Sequence, residues 1–169
     1  MEIIWIWPLI AALVGICLCW YITDLCKDNK KHCEKTVGWC GLDFISRIGF
    51  EFISIPNADF LTYHCSRIVD DFIAELEFLV PSGEIVVFRT AVRTQREISR
   101  KIHLSYESMH QFDIANIPVK LYSNYSGPQL ALWEKGKFQY SLFLQKPEPS
   151  LMNGLLEIFV RDAACRLKG

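Results

Sequence analysis

Residues 72–92 read FIAELEFLVPSGEIVVFRTAV, and this stretch decides the fold. Ala74, Leu76, Phe78 and Val80 alternate with Glu75 and Glu77. A period of two belongs to a strand with one face buried and one in water. Pro81-Ser-Gly83 carries turn chemistry, and Glu84 to Val92 is rich in β-branched residues. The two runs predict an antiparallel hairpin.

Toward the C-terminus, residues 94–116 show no regular period. Pro118 to Tyr122 predicts a short strand, and Asn124-Tyr-Ser-Gly-Pro128 a turn. Leu130–Trp133 and Lys137–Leu144 form a second hairpin around Glu134-Lys-Gly136, with Phe138, Tyr140, Leu142 and Leu144 on one face. Ser150 can cap a helix from Leu151 to about Leu167, in which Met152, Leu156, Phe159, Val160, Ala163 and Leu167 recur at helical spacing. Toward the N-terminus, residues 61–68 are β-prone, Phe52 to Ile55 is extended up to Pro56, and Leu42 to Ile48 suits a short helix ended by Gly49.

Ile3 to Ile22 are 20 consecutive residues without a charge. At about 1.5 Å per residue they span about 30 Å, the hydrocarbon thickness of a bilayer. Trp5 and Trp7 mark one end, Trp20 and Tyr21 the other, as interfacial aromatic belts do. Met1-Glu2 carries no basic residue, which argues against a cleaved signal peptide. The predicted fold class is α+β: an N-terminal transmembrane helix, then an antiparallel β-sheet domain with a C-terminal helix packed on one face. Residues 1–25 are the anchor, 26–37 a polar juxtamembrane linker and 38–169 the α+β domain. Lys27, Lys30, Lys31 and Lys35 follow the span, and the positive-inside rule puts that side in the cytoplasm.

The chain has 169 residues, 18 basic and 19 acidic, and a net charge of −1. That balance excludes a strongly basic nucleic-acid binder, and the 51% hydrophobic content excludes a disordered chain. The predicted partners are the lipid bilayer and a membrane or envelope protein, with no nucleic acid.

Seven cysteines are present, five of them beyond the span, an odd number that does not suggest a fully paired framework. Cys19, Cys26, Cys33 and Cys40 are spaced by seven, a helical stripe if the helix continued, which Gly38 and Gly41 oppose. His32-Cys33 with Cys40, and His64-Cys65, hold metal-binding atoms but lack CxxC or HxxxH spacing, so no metal and no cofactor are predicted.

His64-Cys65 with Asp70-Asp71 supplies a base, a nucleophile and an acid for a thiol-dependent hydrolase. Adjacent strand residues point to opposite faces, which argues that His64 does not activate Cys65. Arg89, Arg93, Arg96, Arg100 and Lys101 form a basic run suited to phosphate, lipid headgroups or an acidic partner. The plainer reading is a charged hairpin edge that discourages strand addition. Trp133 is the clearest aromatic candidate for a binding surface, against a cross-strand pair with Phe138 or Tyr140. Asn124-Tyr-Ser126 matches a glycosylation sequon and is assigned no role. No catalytic residue is assigned.

From Gly49 to Ala164 the chain resembles an uncharacterised domain family of membrane-anchored Gram-positive bacterial proteins. The resemblance rests on GFEFISIP, IAELEF, the arginine of VVFRTA, REIS, PVKLYS, LALWEKGKFQYSL and a closing helix, in that order. Arg100 departs from it, standing where the pattern has glycine. The resemblance implies an antiparallel sheet flanked by helix and an extracytoplasmic location, against the charge rule, and it implies no activity. The function expected is a membrane-anchored, non-enzymatic binding or sensing module. The alternatives are a carrier of lipid or a small apolar ligand, with the sheet cradling it beneath the C-terminal helix, and a hydrolase using Cys65.

Overall fold

The predicted hairpin is the centre of a wide antiparallel sheet. In chain order the strands are β1 (Thr36–Cys40), β2 (Phe50–Ser54), β3 (Thr62–Val69), β4 (Ile73–Leu79), β5 (Ile85–Val92), β6 (Ser108–Ile114), β7 (Ile117–Ser123), β8 (Gln129–Lys135) and β9 (Phe138–Leu144). Helix α1 (Pro149–Asp162) and β10 (Ala164–Leu167) close the chain. The computed structural model describes residues 36–40 (backbone alone), 48–93, 98, 105–146 and 149–168. These residues lie in the unit Lys35–Gly169. The predicted membrane helix at 1–25, most of the linker and most of the short helix at 42–48 lie outside them. Among the described residues no helix is long and apolar enough to cross a membrane.

Eight strands form one sheet in the order β1-β3-β4-β5-β9-β8-β7-β6, and β10 pairs with β2 in a two-stranded ribbon. Every pairing is antiparallel. The turn after β4 is closed by the Gly83 N–H donating to the Val80 carbonyl at 2.8 Å, with Gly83 at φ +80°. That left-handed conformation is cheap for glycine alone. Gly136, at φ +62°, does the same between β8 and β9.

One face of the sheet carries Leu76, Phe78, Val86, Phe88, Trp133, Tyr140 and Leu142, all buried. Against it lie α1, through Met152, Leu155, Leu156, Phe159 and Val160, and the β2–β10 ribbon. The Phe159 ring sits 4.9 Å from Phe88 and 5.6 Å from Phe78, and Phe50 lies 5.3 Å from Phe138. Full burial of a side chain of that size contributes about 1.5–3 kcal/mol. This is the predicted sheet with a C-terminal helix on one face.

Three details differ from the sequence reading. Helix α1 ends at Asp162, not near Leu167, because the chain turns outward to pair Leu167 with Phe50. The Lys135 ammonium fixes that end, donating to the carbonyls of Val160, Arg161 and Ala163 at 3.2, 2.8 and 3.1 Å. A cation there also meets the negative end of the helix dipole. Second, residues 108–114 form a strand, β6, inside the stretch read as irregular. Its turn into β7 uses Ala115 and Asn116, at φ +50° and +64°, a conformation that glycine most often supplies. Third, β4 is not half-exposed: from Ile73 to Phe78 both faces are buried, Glu75 completely.

Candidate functional site

On the face away from α1, residues that pair across neighbouring strands form a single row. From β3 to β6 it reads Arg67, Glu75, Arg89, Ser141, Leu132, Lys120 and Gln111. Buried charges this close must be paired, since desolvating an isolated ion costs far more than the fold can supply. The Arg89 Nε–H donates to the Glu75 carboxylate at 2.5 Å. Arg67 forms ion pairs with Glu75 and, at 2.8 Å, with Glu77 Oε1. The acidic period that reads as a wet face is therefore a carboxylate pair gripped by arginines from both flanking strands.

Beside this cluster β3 carries a bulge. Tyr63 pairs with Phe78 and Cys65 with Glu77, so His64 is an extra residue between them. A bulge breaks the alternation of side chains. His64 and Cys65 are therefore neighbours, not on opposite faces as the strand period predicts: a ring nitrogen of His64, Sγ of Cys65 and a carboxylate oxygen of Glu77 all lie within 4.8 Å of one another. The thiol donates to Glu77 Oε2 at 3.2 Å. Burial, then the Glu77 carboxylate as hydrogen-bond acceptor and as charge, push the Cys65 thiol from 9.0 up to about 12. Asp70 and Asp71 take no part in a triad with these groups by strand geometry. They form the β3–β4 turn at φ +53° and +67°, closed by the Phe72 N–H donating to the Val69 carbonyl at 3.3 Å.

At the other end of the row the sheet opens into a cleft of about 520 Å³ lined by Ile98, Gln111, Lys120, Tyr122, Leu132 and Gln139, among others. Lys120 and Gln111 are exposed there, and Leu132 is half-buried. Apolar and hydrogen-bonding groups thus converge on one concavity.

The residues singled out from sequence are separated by the fold. Arg89 is 3% exposed and belongs to the ion-pair cluster, so it offers no surface for a ligand. Arg93 is exposed and pairs with Glu134 at 2.8 Å on the rim next to the cleft. Arg96, Arg100 and Lys101 lie outside the described residues. Trp133 is 3% exposed on the α1-facing side, its ring stacked 5.5 Å from Tyr140, its cross-strand partner, and 6.2 Å from Phe88. It packs in the core, and with Tyr140 it also borders the cleft. The Asn124 side chain accepts from the Glu107 N–H and donates to the Ser105 carbonyl, holding its loop. Sequence reasoning missed Glu77 as a neighbour of Cys65, and Lys120 and Leu132 as a shared surface, because each grouping arises only through strand pairing.

Cys165, whose side chain is also described, is likewise raised to about 12, chiefly by burial. Neither thiol is in a disulfide. Comparison of the chain with known protein families, with curated proteins and with solved structures finds no match.

Proposed function

We propose that this protein is a membrane-anchored, non-enzymatic binding module that takes a small amphipathic ligand in the cleft over β6–β9. The cleft itself is the observation that carries the reading: apolar Ile98 and Leu132 line it with Tyr122, Trp133 and Tyr140, and Lys120, Gln111, Gln139 and Glu134 add polar groups. A ligand with an apolar body and an anionic or hydrogen-bonding end suits that lining. Anchoring by the apolar segment 3–22 holds the domain at the bilayer and raises its effective concentration toward membrane components. The soluble domain lies on the extracytoplasmic side in this reading, following the family resemblance.

A carrier with its ligand beneath the helix is less well supported, since Met152, Leu155, Leu156 and Phe159 fill the space between α1 and the sheet without exposure. The hydrolase reading is weakened by the Cys65 thiol. The thiolate is the nucleophile, and a thiol held near 12 supplies almost none at neutral pH.

The test is native mass spectrometry of the full chain, released from its membranes in mild detergent. Wild type is expected to retain a small molecule that Leu132→Arg loses. A wild type that flies empty overturns the binding reading. Extraction of the chain by carbonate, without detergent, overturns the anchor. Labelling of Cys33 or Cys40 on intact cells by an impermeant thiol reagent checks the side.

A further inference from the structure

We propose that His64, Cys65 and Glu77 form a binding site for a thiophilic divalent cation of the zinc type, separate from the cleft and independent of its ligand. The β3 bulge puts an imidazole and a thiol side by side, and pairing with β4 brings the Glu77 carboxylate to them. Metal–ligand bonds of about 2.0–2.3 Å in tetrahedral geometry require donor atoms roughly 3.3–3.8 Å apart. Cys65 Sγ and Glu77 Oε2 are already 3.2 Å apart, and an imidazole nitrogen lies within 4.8 Å of Sγ and of a Glu77 carboxylate oxygen. His64 is exposed, and its ring lies at the open side of the cluster.

The donor set decides the metal. One sulfur, one nitrogen and one carboxylate oxygen suit zinc and its neighbours, whereas calcium and magnesium prefer oxygen alone. The surroundings orient the ligands. Arg67 holds Glu77 Oε1 at 2.8 Å and leaves Oε2 turned to the thiol, the kind of outer contact that fixes a ligating carboxylate. On binding, the sulfur–hydrogen bond breaks, the proton leaves to solvent and a sulfur–metal bond replaces it. Three protein donors leave a tetrahedral ion one further position, which water would fill.

Cobalt(II) is the probe, because its thiolate complexes have a charge-transfer absorption that nitrogen and oxygen ligands do not give. Full-length chain in detergent micelles is expected to bind Co²⁺ with that absorption, and Zn²⁺ is expected to displace it. Cys65→Ser is expected to abolish the band. His64→Ala, at an exposed position, is expected to weaken binding at least tenfold, with circular dichroism unchanged. A wild type that binds no Co²⁺ with a thiolate band overturns the proposal. So does a band that persists in Cys65→Ser, which assigns it to the other cysteines, and so does equal affinity in His64→Ala and wild type.

Discussion

The two faces of β4 are equally dry and differently built. Toward α1, Ala74, Leu76 and Phe78 are buried among apolar side chains. On the opposite face Glu75 and Glu77 are buried too, at 0% and 7% exposure, but their neighbours are Arg67 and Arg89. The first face is stable because each residue leaves water for a favourable environment. The second is tolerated because every charge meets its opposite in a fixed register. Apolar packing degrades gradually when atoms are removed, whereas a charged cluster fails when a single partner is lost.

The largest effect is expected on the apolar face. Phe159→Ala opens a cavity against Phe78 and Phe88 and should cost about 4 kcal/mol in urea unfolding of the domain, from the Phe→Ala range of about 3–5. On the polar face Glu75→Gln removes one charge with almost no change of shape, yet should cost about 3 kcal/mol because Arg67 and Arg89 keep theirs. Combining Glu75→Leu with Arg89→Met should recover most of that loss, since an apolar pair replaces a buried ionic one at little cost. If the single and double variants are equally unstable, the second face is held by packing rather than charge pairing.

Lys135→Met tests how the helix is held over the first face. It leaves the carbonyls of Val160, Arg161 and Ala163 without their ammonium donor and should cost about 1–2 kcal/mol. Hydrogen exchange is expected to quicken in the last turn of α1 and in β10, with β4 unchanged.

At neutral pH the smallest change in stability is expected from variants that separate the two thiols. Cys65 and Cys165 are both raised from 9.0 to about 12, Cys65 by burial and Glu77, Cys165 by burial against a lowering influence of Tyr140 and Lys135. Raised acid groups bind protons more tightly in the folded chain. Their contribution to stability is therefore complete below pH 9 and is lost as pH rises toward 12. Peptide-mapped iodoacetamide labelling at pH 8 should run well over tenfold slower at Cys65 than at an ordinary thiol, because fewer thiolates outweigh their higher nucleophilicity. Glu77→Gln should move the Cys65 midpoint downward and leave that of Cys165 in place. Equal movement of both would show that Glu77 acts by loosening the domain.

Most of the apolar face was legible, though Leu155 was missed and Leu167 falls outside it. Alternation in 72–80 and 138–144, and the helical recurrence of Met152, Leu156, Phe159 and Val160, mark the side chains that α1 and the sheet bury together. Strand β6 was not legible, because SMHQFDI exposes most of its residues at a sheet end and its turn has no glycine. The polar clusters were hidden for another reason. Glu75, Arg67 and Arg89 are separated by up to 22 positions and become partners only when β3 and β5 flank β4. His64, Cys65 and Glu77 carry no recognisable spacing, since a bulge in one strand and the register of the next bring them together.

The amino-acid order by itself determined an antiparallel sheet closed by a C-terminal helix, because periodicity records which side chains must leave water wherever the chain is extended or helical. Tertiary structure alone decided which charges are buried, where the helix stops and which donors share a site. Those outcomes depend on register between distant strands, and register is a property of the paired backbone that no local window of sequence contains.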